Sequence, residues 1–436
     1  MTSAPEATSV PQTTGAPEAT GAPELPLSAK GCPVLHGESF ATRSAEVYAQ
    51  LRAQGAGAWA EIAPGVHALV VTGRRAAVDM LNDPAVYAKD SRLWADLNAG
   101  KVPQDSPVLP LMAWRASVLY ADAEDHTRLR WALDDCIARI SPHRLREVTR
   151  RSALTLVSRV AEQGAADMMA DFADTLPLMV FADLLGCTSE MATRMVRLAQ
   201  QMISAGPEAA QGAVDYAGLL YELIQLRRVQ PGDDLTSWLL GHDAKLSDEE
   251  TLNQLYTTVG AGVIPTAAWM GWALHLLLGD DSYAGTLAAG TVTVRRALEK
   301  ALWVRSPMAN FSVHFARKDT TLHGIAVPGG VPILVSHAAA NTDPGLPADL
   351  GYENRSHLAW SAGPHRCPAI SQATVIAQTG IETALDQLWD MQLAVTDDEI
   401  QLRHGPFHQC PVAMPVTFRP KSAAAIRAAA TDGGTP

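Results

Sequence analysis

Ser247-Asp248-Glu249-Glu250, followed by an apolar stripe through Leu252, Leu255, Val259 and Val263 toward Leu278, sets the longest dimension of whatever this chain folds into. A serine with an acid three residues on is a capping box, which fixes a helix start, and about 30 residues then span roughly 45 Å. A rod of that length crosses the body of a protein, so the other elements must pack around it. The chain has 436 residues and is 47% hydrophobic, which is enough for a large core.

The segment His357-Leu358-Ala359-Trp360-Ser361-Ala362-Gly363-Pro364-His365-Arg366-Cys367-Pro368-Ala369 reads as a rigid loop that presents one cysteine just before a helix. Gly363 and Pro364 supply tight backbone geometry, and the helix from Gln372 carries Val375, Ile376, Ile381, Leu385 and Leu388 on its apolar side. Amides at that helix start, with the helix dipole, lower a thiol's pKa and damp the charge of an anionic sulfur. Such a thiolate suits haem iron; a buried free cysteine is the plainer alternative. In His126-Thr127-Arg128-Leu129-Arg130 the first and last residues are four apart and share a helical face. Both can reach one anionic group, and a solvated basic face is the alternative.

Other features exclude classes. Cys32, Cys136, Cys187, Cys367 and Cys410 are scattered, with no Cys-x-x-Cys pair, so neither a disulfide framework nor a zinc site is indicated. The formal charge of −12 argues against nucleic-acid binding. No run of 18 uncharged apolar residues is read as a bilayer span, and the N-terminus lacks the order of a signal peptide, so a soluble, cytoplasmic protein is expected. Residues 1–29 repeat Ala-Pro-Glu-Ala-Thr and read as a disordered leader; 421–436 read as a flexible tail.

The cysteine loop closely resembles the haem-binding loop of the cytochrome P450 family, Phe-Gly-x-Gly-x-His-x-Cys-x-Gly. Trp360 stands for Phe, Ser361 for the first Gly, Gly363 and His365 fit, Cys367 is the ligand, and Ala369 replaces the last Gly. Similarity runs from roughly Pro33 to Pro420: His126 and Arg130 resemble the family's propionate-binding His-x-x-x-Arg, and His314 stands where an arginine precedes Asp319 by five. Ala340-Asn341-Thr342-Asp343-Pro344 and Pro415-Val416-Thr417-Phe418 resemble a structural turn and the closing β segment. The resemblance implies a mainly α fold with a small β lobe, the cytochrome P450 fold, as one domain over 30–420. It implies haem b (iron protoporphyrin IX), with Cys367 as axial iron ligand and His126, Arg130, His314 and His365 at the cofactor.

Two segments depart from the family pattern. Its helix K carries Glu-x-x-Arg, whereas alignment at Ser306-Pro307 puts Lys300 and Trp303 at those places; Glu299 to Trp303 resembles an uncommon actinobacterial branch with Glu-x-x-Leu-Trp. Packing is expected there in place of charge. In the long helix, the family's Ala-Gly-x-Glu/Asp-Thr organises water and delivers protons during oxygen activation. Here it reads Ala261-Gly262-Val263-Ile264-Pro265-Thr266, with Ile264 for the acid and Pro265 for the alcohol. Pro265 should kink the helix and free a carbonyl near Ala261. Thr266 is the candidate catalytic hydroxyl, or simply bonds back to its own helix.

The implied function is a haem-thiolate monooxygenase that oxidises a small lipophilic or secondary-metabolite substrate, with electrons from a separate ferredoxin and ferredoxin reductase. Arg366, Arg139 and Arg144 are candidate partner contacts, and Trp94, Leu97, Leu109 and Trp114, with the segment from Met202 to Tyr221, candidate pocket lining. Two other functions compete: a peroxide-driven or redox-neutral haem enzyme, and a non-catalytic haem or ligand-binding protein.

Overall fold

Apolar periodicity makes most of this chain helical. The computed structural model describes residues 27–203, 208–279, 293–347 and 354–431, so the expected leader lies outside the described residues as far as residue 26. We label the helices that build the site α1 (Ala123–Ala138), α2 (Pro142–Val160), α3 (Leu176–Leu184), α4 (Asp248–Gly279), α5 (Thr293–Val304), α6 (Ile370–Gln387) and α7 (Ala423–Thr431).

Helix α4 is the central rod. Its capping box forms as the sequence predicts: the Glu250 amide donates to Ser247 Oγ at 3.1 Å, and the Ser247 amide to Glu250 Oε2 at 2.8 Å. Helices α3, α5 and α6 all pack against it, and α6 also packs on α2. Trp269, Met270, Trp272 and Leu274 of α4 meet Phe172, Leu298, Ile376 and Ile381 in the largest core cluster. From Leu255 to Gly279 this helix carries no Asp, Glu, Lys or Arg, contrary to the expected absence of any such run. Among the described residues it alone is long and apolar enough to cross a membrane, and 67% of its most apolar stretch is buried inside the protein. Burial of most of this stretch in the core explains the missing charges.

The β lobe is a five-stranded sheet of Gly57–Ala63 (β1), Val66–Val71 (β2), Tyr87–Ala88 (β3), Asn310–Ala316 (β4) and Pro332–Ser336 (β5), in the order β1-β2-β5-β4-β3. Pairing of β2 with β5 is parallel and the rest antiparallel, so one sheet joins the chain's early and late segments. Between Phe311 and His314 the register of β4 shifts against β5, and Ser312 takes φ 50°. An extra residue on one strand re-aims the side chains around it.

The tail differs from expectation. Residues Ala423–Thr431 form α7, whose Ile426 is fully buried against α2. The Lys421 amide bonds the Ala161 carbonyl at 2.8 Å, and the Ala423 amide bonds Glu162 at 2.9 Å. An alanine-rich run is a good helix former, and one buried isoleucine gives it somewhere to dock.

Candidate haem site

The cysteine loop is folded by local bonds and by one long-range tie. The Ser361 amide bonds the Leu358 carbonyl at 2.8 Å, the Arg366 amide bonds Gly363 at 3.1 Å, and the Cys367 amide bonds Trp360 at 3.0 Å. Ser361, where the family motif has glycine, takes φ 58°, and Gly363 takes φ 67°. A side chain at Gly363 would put its Cβ 2.0 Å from the Leu81 carbonyl oxygen, so that position admits glycine alone. Asn341 explains its turn motif: its Oδ1 accepts from the Leu358 amide at 2.7 Å, while its Nδ2 donates to Leu302 O and Ser306 Oγ. Trp360 packs edge-on to Trp269 at 5.1 Å, and Trp269 donates to Leu298 O at 2.8 Å, locking the loop to α4 and α5.

Cys367 precedes α6 by three residues. Burial raises its thiol, and a hydrogen bond from the Ala369 backbone, then Arg130 and Arg366, oppose that rise. These are the groups that favour a thiolate once something else offsets the desolvation.

Three histidines gather beside the loop from three distant segments. His126 and His365 stack with ring centroids 4.1 Å apart, and His314 meets His365 edge-on at 6.4 Å. His126 Nε2 is buried without a partner. Burial holds all three below the usual imidazole range; Arg130 adds to the effect at His126, and Lys89 adds to it at His314 and His365. Arg130 donates from Nη1 to the carbonyls of Pro364 (3.0 Å) and Arg366 (2.9 Å), and from Nε to Asp134 (2.7 Å). It therefore clamps the loop to α1 while adding positive charge. An orphaned imidazole nitrogen in a basic cluster fits an anionic carboxylate edge, and the adjacent thiol fits an iron ligand. The residues present fit a haem.

Under the loop, Trp303 is 4% exposed and its Nε1 donates to the Asn354 carbonyl at 2.9 Å. Its ring meets His357 edge-on at 5.7 Å and lies under Arg74 at 5.7 Å. Packing at Trp303 is thus as expected, but charge is not lost: Glu299 faces Arg355 at 3.2 Å and His357 at 3.6 Å. The acid sits one residue before the aligned place, and its partners come from the cysteine-loop segment.

Helix α4 continues through Pro265 without a break in its helical run. Proline still has no N–H to give the Ala261 carbonyl four residues earlier. Thr257, Gly260, Ala261, Ile264 and Pro265 form an accessible stripe at the middle of this helix, and space is open beside Gly260. Thr266 is 5% exposed, on the packed stripe with Val259, Val263 and Met270. Ideal helical geometry places it about 100° from Pro265, away from the open stripe. Gly262 also packs inward, since a Cβ there would meet the Phe181 ring at 2.3 Å.

Other candidates separate in the same way. Trp94 is core, stacked on Phe315 at 6.0 Å, with Leu97 and Leu109 against the same cluster; Trp114 is exposed beneath Arg92 at 4.6 Å. Arg139 and Arg366 are exposed, whereas Arg144 binds Asp183 and Asp233 within the fold. Residues 204–207 of the expected pocket segment lie outside the described residues. Lys89, buried beside His314, went unnoticed in the sequence, where a lone lysine after a short strand carries no signal.

No family model matches the chain. It is 27% identical over 398 residues to 2-hydroxy-5-methyl-1-naphthoate 7-hydroxylase of Streptomyces carzinostaticus, covering 87% of this chain and 96% of that protein. It is 26% identical over 400 residues to the cytochrome P450 monooxygenase PikC of Streptomyces venezuelae, covering 88% and 93%. Among solved structures, a myxobacterial cytochrome P450, CYP267B1, in complex with myristic acid superposes with a TM-score of 0.77 at 26% identity, over 88% of this chain and 98% of that one.

Proposed function

Because this chain is a member of the cytochrome P450 family, we propose that it is a monooxygenase in which Cys367 would hold the haem iron through its thiolate. The observation that carries this reading is the Cys367 loop, with glycine geometry at 361 and 363 and the Ala369 amide on the sulfur. When bound, a thiolate-ligated haem supplies the activation of dioxygen that puts one oxygen atom into a C–H bond. The protein's own residues do the rest. His126, His314 and His365 bind the cofactor's carboxylates, and Arg130 holds the loop. The open stripe at Gly260 and Ala261 leaves room for substrate. The Ala261 carbonyl, without a helical donor, holds a water, and Thr266 takes part in proton delivery only through a local opening of the helix.

The relatives' names, a 2-hydroxy-5-methyl-1-naphthoate 7-hydroxylase and a mycinamicin IV hydroxylase/epoxidase among them, support a small, largely apolar secondary metabolite as substrate. Electrons come from a separate ferredoxin and its reductase in the cytoplasm, with Arg139 and Arg366 on the docking side. The reduced protein with carbon monoxide should show the red-shifted Soret band of thiolate ligation. Retention of that band in Cys367→Ser would remove the assignment.

A second reading, a peroxide-driven enzyme, is favoured by Ile264 and Pro265 on the accessible stripe, where the family motif has an acid and an alcohol. Turnover with hydrogen peroxide that exceeds turnover with reductant and dioxygen would select it.

A further inference from the structure

Lys89 follows strand β3 and is 5% exposed. Its Nζ donates to the Val313 carbonyl at 2.6 Å and lies 5.9 Å from the Phe311 ring. An ammonium has three donors, and this carbonyl takes one. Asp122 does not complete the set: its carboxylate accepts the backbone amides of Lys89 (3.0 Å) and Asp90 (3.2 Å) and faces Arg317 at 3.4 Å. Among the described residues no carboxylate forms an ion pair with Lys89 Nζ. Besides Asp122, the groups that its charge acts on are His314, His365, His126 and His337, all of them basic.

Burial drives the lysine's pKa down to about 7, and Asp122 raises it only in part. A buried charge without a hydrogen-bonded counter-ion destabilises a fold, whereas the same charge against an anion in a low-dielectric site binds strongly. We propose that Lys89 is a further basic contact to the haem carboxylates, beside the three histidines, a group that costs the protein stability by itself and contributes only through the cofactor's negative edge. The proposal rests on the haem reading of this site.

The test compares the parent with Lys89→Met, which keeps length and apolar stem, and Lys89→Arg, which keeps charge. Holoprotein is mixed with excess apomyoglobin and the rate of haem transfer is followed. Lys89→Met should lose haem about tenfold faster than the parent, the loss of roughly one charge-assisted bond, and Lys89→Arg should stay near the parent. The same proteins loaded with haem dimethyl ester, whose carboxylates are neutral, should reverse the order, with the parent releasing the ester faster than Lys89→Met. Equal rates for parent and Lys89→Met with free-acid haem, or a faster loss by Lys89→Met of haem and ester alike, would overturn the lysine assignment and leave Lys89 as a tie to Val313. A parent that lacks the thiolate Soret band would overturn the haem-thiolate reading itself, and the proposal with it.

Discussion

The cysteine loop and the middle of α4 both replace residues of the motifs they resemble, yet only the loop keeps the geometry its motif needs. Ser361 stands in a glycine's place and still takes a left-handed φ of 58°, so the loop keeps its path to Cys367. Ile264 and Pro265 keep α4 helical while removing its acid and its alcohol. Backbone geometry can be restored by neighbours, as Asn341 and Trp360 do for the loop; a missing proton donor cannot be restored by packing. The cysteine loop is therefore held by its surroundings, whereas the accessible stripe of α4 carries neither group of the motif it resembles.

That contrast is most exposed at Gly363. Gly363→Ala would drive its Cβ onto the Leu81 carbonyl at a positive φ, and we expect a loss of about 4 kcal/mol or more with little haem retained, measured by denaturant unfolding and haem content. A haem-replete, stable variant would mean the loop tolerates more than its geometry allows. Below the loop, Trp303→Arg would set a second guanidinium beside Arg74 and forfeit the bond to Asn354. It should cost about 3 kcal/mol, and an unchanged unfolding midpoint would show that the Glu299 cluster absorbs the charge.

Acid should also act through the loop side. His337 is fully buried, accepts or donates at Ser312 Oγ, which in turn bonds Ser361 Oγ, and is held down to about 4, first by burial and then by Lys89 and His357 against the Met308 carbonyl. The unfolded chain binds this proton near 6.5 and the fold only near 4. The resulting stabilisation, of order 3 kcal/mol, is complete above about pH 6.5 and is lost as pH falls toward 4. Unfolding free energies at several pH values should show that slope, and His337→Gln should flatten it.

On the α4 side the expected effects are kinetic and smaller. Ile264→Glu with Pro265→Thr restores both groups of the family motif, and the fraction of reductant lost as peroxide should fall by about tenfold if a missing relay limits the parent. A parent already tightly coupled, and spoiled by the double variant, would show that substrate or water supplies the protons. Thr266→Val should change coupling by less than about threefold, since the hydroxyl lies on the packed stripe; a tenfold loss would place Thr266 back in proton delivery.

Some of this was legible without coordinates. The capping box, the length of α4, the glycine at 363 and the cysteine ahead of a helix depend on neighbours in sequence, and each appears as read. Pro265 leaves α4 continuous, with Ala261 on the accessible stripe, which the substitution pattern alone does not show. The tail was misread because composition cannot show that Ile426 has a core to enter.

What the sequence determined by itself was the thiol and the rod, since turn geometry and helical period are set within a few residues. Tertiary structure alone decided which groups surround them. Lys89 reaches a carbonyl 224 residues away, His126 finds His365, and Glu299 takes partners from the cysteine segment. Such encounters follow from how a bulged strand, a basic helix and a loop dock on one core; the motif resemblance put the histidines at one site, but nothing local encodes the Lys89 and Glu299 contacts.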